Sequence, residues 1–125
     1  MTKEVISSNN APKAIGPYSS ALKVGDMLFV SGQIPVVPAT GEVPSDIKEQ
    51  AKQSLSNLKA LVEEAGFSLA DAVKTTVFIT DINDFAAINE VYATFFSEPY
   101  PTRSCVAVKD LPKGVCIEIE CICHK

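Results

Sequence analysis

Val115-Cys116-Ile117-Glu118-Ile119-Glu120-Cys121-Ile122-Cys123 alternates with a period of two. Successive side chains of an extended strand leave on opposite faces. Ile117, Ile119, Cys121 and Cys123 therefore share one face, and Cys116, Glu118, Glu120 and Ile122 the other. The first is a core face. The second carries two carboxylates and either meets water or packs against another subunit. Just upstream, Ser104–Lys109 reads as another strand, followed by a turn over Asp110–Gly114. If that turn pairs the two strands, Arg103 and Glu118 stand on neighbouring strands.

Further from this strand the pattern changes period. Phe85, Ile88, Tyr92 and Phe95 share one face of a helix that Asp81 or Asn83 could cap and that runs to about Phe96. Val73–Ile79 is rich in β-branched residues and reads as a strand. Ile47, Ala51, Leu55, Leu58, Leu61, Val62 and Ala65 recur at helical spacing, with Ser45 as expected N-cap, Asp46 and Glu49 favourable to the helix dipole, and Gly66 as the stop. The segment from Pro35 to Pro44 holds three prolines and a glycine and is a loop. Ala21–Val24 and Met27–Ser31 flank Gly25-Asp26 as a hairpin, and an edge strand is expected around Glu4–Ser7. The order ββ-α-β-α-ββ predicts one α+β domain over residues 1–125, a mixed sheet with both helices on one face.

Composition narrows the function. The chain has 125 residues, 46% hydrophobic and 21% charged, enough for one compact core. Its net charge of −4 supplies no basic field for phosphate backbones, so general nucleic-acid binding is not expected. The N-terminus has no apolar run of the signal-peptide kind, and no stretch approaches the length of a membrane span. Four cysteines without an export signal point to free thiols and a reducing cytoplasm. Cys121, Cys123 and His124 lack the paired knuckles of structural zinc, and no metal or cofactor is expected. The sole histidine, His124, lies next to the C-terminus, which leaves Ser–His or Cys–His chemistry little to work with.

Arg103 is the only arginine, against ten lysines. Surface charge does not discriminate between the two cations, whereas a planar fork gripping a carboxylate or phosphate requires arginine. Alternation places Arg103 and Cys105 on one face of their strand and Ser104, Val106 and Val108 on the other. Two readings stand side by side. Arg103 and Glu118 form a cross-strand ion pair, worth about 0–1 kcal/mol if exposed, or they form an anion grip beside a carboxylate that orients water.

Pro101-Thr102-Arg103-Ser104-Cys105-Val106, then Leu111-Pro112-Lys113-Gly114 and Ile117-Glu118-Ile119-Glu120, resembles the signature of the reactive intermediate deaminase family, RidA, formerly YjgF. Ala14-Ile15-Gly16-Pro17-Tyr18-Ser19, Val30-Ser31-Gly32-Gln33-Ile34-Pro35 and Phe85 to Tyr92 are similar to the family pattern too, so the resemblance spans nearly the whole chain. It implies a chorismate-mutase-like fold, a homotrimer with active sites between subunits, and hydrolysis of 2-imino or enamine acids. Those substrates, such as 2-aminoacrylate and its 2-iminopropionate tautomer, would yield 2-keto acids and ammonia, the reaction of a 2-iminobutanoate/2-iminopropanoate deaminase. It further implies that Arg103 grips the substrate carboxylate, and that Glu118 with the backbone carbonyl of Cys105 places the attacking water. Tyr18, Ser31, Gly32 and Asn89 would line the cleft, Tyr18 from the adjacent subunit.

Two other functions fit parts of the same sequence. An RNA-directed endoribonuclease or translation inhibitor would show salt-sensitive RNA binding. A small-carboxylate sensor would use the arginine grip without turnover, and only Glu118 and a cleft open to water separate it from the enzyme.

Overall fold

A computed structural model of the chain describes residues 2–125. Six strands form one sheet in the order β1-β2-β3-β6-β4-β5, where β1 is Glu4–Ile6, β2 Ala21–Val24, β3 Met27–Gln33, β4 Ala72–Ile79, β5 Thr102–Ala107 and β6 Ile117–His124. Two helices, α1 (Ile47–Glu64) and α2 (Phe85–Phe95), pack on one face. The expected α+β class and element order hold. The β2–β3 hairpin closes through Gly25-Asp26, and Gly25 takes a φ of 57°, a left-handed geometry open to glycine at little cost.

α1 shows why local chemistry chose its ends. Asp46, not Ser45, is the N-cap: its Oδ2 accepts from the backbone N–H of Lys48 at 3.1 Å and of Glu49 at 3.2 Å. One carboxylate so placed satisfies two of the otherwise unpaired first-turn donors, so the helix starts one residue later than expected. At the other end Gly66 adopts φ 84°, and Phe67 N–H returns to Val62 O at 3.1 Å. Between these caps Ala51, Leu55, Leu58, Leu61 and Val62 are fully buried against the sheet, where Ile117, Ile119 and Cys123 of β6 are equally dry. Each such aliphatic side chain stabilises the fold by about 1.5–3 kcal/mol, which fixes the face β6 turns inward. Ahead of α2, Asp81 accepts from the Asn83 N–H and caps a single 3-10 turn, Ile82–Asp84, so the N-cap of α2 itself is Asp84 and neither Asp81 nor Asn83.

A larger expectation also fails. The last two strands do not pair. β4 lies between them, parallel to β5 and antiparallel to β6. The Asp110–Gly114 segment is therefore a crossover past β4, with a 3-10 turn at Pro112–Gly114, and not a hairpin. Alternation alone could not reveal this, because a central strand and a hairpin partner share the same apolar period. β4 wins the middle because Val77 and Ile79 are fully buried, whereas β5 is exposed along nearly its whole length and suits an edge.

Candidate active site

Registry across the sheet sorts the predicted residues into two groups. One row on the helix-covered face runs Ala21, Val30, Cys121, Thr75, Arg103. A row on the uncovered face runs Glu118, Phe78, Val106. Arg103 and Glu118 thus lie two strands apart, three residues apart along β4, and on opposite faces. The cross-strand ion pair weighed from the sequence does not form within one chain, and among the described residues the only ion pair is Lys48–Glu90.

Arg103 is nonetheless held. Its side chain leaves the edge strand toward α2, where Nη1 donates to Asn89 Oδ1 at 2.8 Å. Its guanidinium carbon lies 4.8 Å from the Tyr92 ring centroid and 5.5 Å from that of Phe85. Phe85, Asn89 and Tyr92 follow i, i+4, i+7 spacing, so one helix face forms the cradle. Tyr92 is itself anchored, its hydroxyl 2.7 Å from Thr75 Oγ1. Burial pushes its hydroxyl pKa up, so the ring stays neutral. A hollow of about 320 Å³ opens beside these groups, lined by Asn89, Tyr92, Tyr100, Pro101 and Arg103. The sequence had placed Phe85 and Tyr92 only on the apolar face of the helix. Their spacing from Asn89 was the available signal for a role beside Arg103.

The second group gathers around a bulge in β3. Val30 pairs with Cys121 and Gln33 with Ile119, so Ser31 and Gly32 together oppose Glu120 alone. Such a bulge re-aims the backbone. Ser31 is pinned by its Oγ donating to Ser19 O at 2.7 Å and its N–H donating to Ser20 O at 2.9 Å. The Glu118 carboxylate lies over Gly32: a β-carbon there would come within 2.7 Å of Glu118 Cδ and overlap its Oε2. Burial, reinforced by the neighbouring Glu120 charge, raises the Glu118 carboxyl above its ordinary pKa. A cleft of about 400 Å³ beside Gly32 is lined by Tyr18, Ile15, Ile34, Val36 and Pro112, and Tyr18 is 55% exposed.

Cys105 belongs to neither group through its thiol. It sits two residues beyond Arg103, opposite Val77, with its side chain against the core. Burial raises its thiol pKa, opposite to what a nucleophilic thiolate requires. Cys121 and Cys123 lie side by side, sulfurs 3.9 Å apart, while His124 leaves on the other face. A larger groove of about 750 Å³ between α1 and α2 holds Lys48 and Glu90 and none of the predicted residues.

The model of a family described as Endoribonuclease L-PSP matches residues 8–125. The protein of Escherichia coli K12 that carries the name reactive intermediate deaminase TdcF is 58% identical over 123 residues, covering 96% of this chain and 95% of that protein. The chain belongs to the reactive intermediate deaminase (RidA/YjgF) family. The crystal structure of E. coli TdcF with bound serine superimposes with a TM-score of 0.95 at 56% identity, over 98% of this chain and 99% of that one. The YjgF gene product of E. coli gives a TM-score of 0.94 at 54% identity, over 98% of both chains. The mixed sheet with two helices is therefore the Rid fold. In this Rid chain the Arg103 group and the Glu118 group are each internally assembled and mutually separate.

Proposed function

We propose that the protein hydrolyses 2-imino and enamine acids, of which 2-aminoacrylate and 2-iminopropionate are the smallest, to 2-keto acids and ammonia, in sites shared between copies of a homotrimer. The observation that carries this reading is Arg103: a guanidinium fixed by a neutral amide and two rings, with no carboxylate neutralising it among the described residues. Its unused donors suit a substrate carboxylate held by two parallel hydrogen bonds. The relative TdcF is described with bound serine, a small molecule bearing that same group.

The uncovered sheet face supports assembly. Leu22, Phe29 and Ile122 lie in one row across it, and Phe29 is 43% exposed and Val106 44%. An apolar sheet face of this kind is suited to burial against another copy. Across such an interface Glu118, Gly32, Ser31 and Tyr18 of one copy meet Arg103, Asn89 and the Cys105 backbone of the next, which reconciles two half-sites that one chain keeps apart.

Each group then has a step. Arg103 fixes the carboxylate and so places C2 of the iminium against a water held by Glu118 and the Cys105 carbonyl. Water adds to C2 as Glu118 accepts its proton, and that proton passes to the amino nitrogen. The carbinolamine then collapses: its hydroxyl gives its proton to the again-ionised Glu118, the keto C=O forms as the C–N bond breaks, and ammonia leaves. No redox change and no cofactor enter this balance. The net charge and the free thiols fit a cytoplasmic scavenger of reactive metabolites.

The test is direct. Imino acid is generated by an amino-acid oxidase, and keto-acid appearance is followed against the spontaneous rate. Acceleration by wild type and its loss in Arg103→Lys support the reading. A wild-type protein that leaves the spontaneous rate unchanged overturns it, and salt-sensitive RNA binding by the same preparation would favour the ribonuclease function instead.

A further inference from the structure

We infer that Tyr92 is a positioning residue for carboxylate recognition: anchored through its hydroxyl to Thr75, it presents its ring as a fixed platform that orients the Arg103 fork before substrate arrives. The inference rests on the proposed role of Arg103 and adds the parts that make that residue rigid.

An arginine on an exposed edge strand ordinarily samples many rotamers, and its charge is weakly localised. Here three elements prevent that. Arg103 on β5 is the register partner of Thr75 on β4. Thr75 is fully buried, and its hydroxyl is bonded to that of Tyr92 at 2.7 Å. Tyr92 returns to Arg103 through its ring face at 4.8 Å, closing a circuit through two strands and one helix. Phe96 packs on Tyr92 with ring centroids 4.5 Å apart and limits its movement.

The hydroxyl explains why tyrosine serves here. A phenylalanine would offer the same cation–π face, but nothing would tie its outer end to the strand that carries the fork's neighbour. Stacking uses the face of the guanidinium and leaves its edge, where the N–H groups point, to the ligand. Asn89 takes one of those donors at 2.8 Å and so fixes rotation about the guanidinium axis. Phe85, 36% exposed, covers part of the same group from the rim.

The experiment compares wild type, Tyr92→Phe, Tyr92→Leu and Phe85→Leu by pyruvate binding in calorimetry and by KM and kcat on oxidase-generated imino acid. Loss of a cation–π platform corresponds to an affinity loss of about two- to fivefold. Tyr92→Leu should raise the pyruvate Kd and KM by at least that factor, with kcat falling less, and Tyr92→Phe, which keeps the ring but loses its tie to Thr75, should recover only part of the difference. A purely structural role would lower the melting temperature of Tyr92→Leu and leave Kd and KM unchanged, which overturns the inference. If Tyr92→Leu does not fold, Phe85→Leu on the rim and Tyr92→Phe decide: wild-type Kd in both also overturns it. Failure of wild type itself to bind pyruvate or turn over imino acid would instead count against the proposed function.

Discussion

The Glu118 carboxylate occupies the space that a β-carbon on residue 32 would need. Glycine is required there by proximity, since no positive φ is recorded for Gly32. The bulge at Ser31–Gly32 brings bare backbone up to the acid, and the resulting partial burial raises the carboxyl's pKa. Gly32→Ala should therefore displace the end of Glu118 rather than unfold the sheet, because a glutamate side chain swings away more easily than a strand moves. The expected result is a folded protein with imine hydrolysis reduced on the order of 10²-fold, the low end for loss of a positioned acid–base group. Wild-type turnover with a near-native melting temperature would show that Glu118 need not sit where it does.

The raised Glu118 pKa gives a pH dependence with a definite sign. A carboxyl can accept a proton from water only when ionised, so activity should fall as pH drops through a value above the ordinary carboxylate pKa of 4.5. Burial is the larger cause and the Glu120 charge the smaller, so Glu120→Gln should move that acid limb toward lower pH by a small amount. Stability runs the other way. The folded state holds this proton more tightly than the unfolded chain, so the stabilising contribution is present at acid pH and is lost as pH rises from 4.5 through the raised value. Glu118→Gln should consequently melt higher than wild type at neutral pH, lose that advantage below pH 4, and hydrolyse imine poorly throughout.

Asn89 tests the anion grip from the opposite direction. Its amide oxygen accepts from Arg103 without neutralising it. Asn89→Asp keeps the size and the acceptor but adds a charge, making an ion pair that competes for the fork. Pyruvate affinity should fall at least tenfold, whereas Arg103→Lys should lose binding because a point charge cannot reproduce two parallel bonds. Calorimetric titration of both variants checks this, and unchanged pyruvate affinity in Asn89→Asp would mean that substrate does not dock on Arg103.

Much of this was legible in the chain, and for identifiable reasons. The strict alternation in β6 and the capped apolar period of α1 both report which side is dry, so the one-faced sheet could be read directly. Arg103 stood out as the only guanidinium. Strand order was not legible, since the apolar period of β4 says that it is buried but not which strands flank it. From that gap came the mistaken placement of Arg103 beside Glu118. The cation–π cradle was half visible: Phe85, Asn89 and Tyr92 share a helix face, but only the parallel β4–β5 register brings Arg103 over them.

The separation of Arg103 from Glu118 on opposite faces permits a test of shared sites that needs no new structure. Arg103→Lys and Glu118→Gln should each be inactive alone. If each site draws Arg103 from one copy and Glu118 from its neighbour, mixing the two variants before assembly creates some sites in which both residues are native. Random assembly of equal amounts would restore about a quarter of wild-type activity. The comparison is a mixture of the two variants refolded separately, which should remain inactive. If co-assembled protein stays as inactive as that control, both residues must act within one chain, and the half-sites would have to be joined by movement of β5 rather than by a second copy.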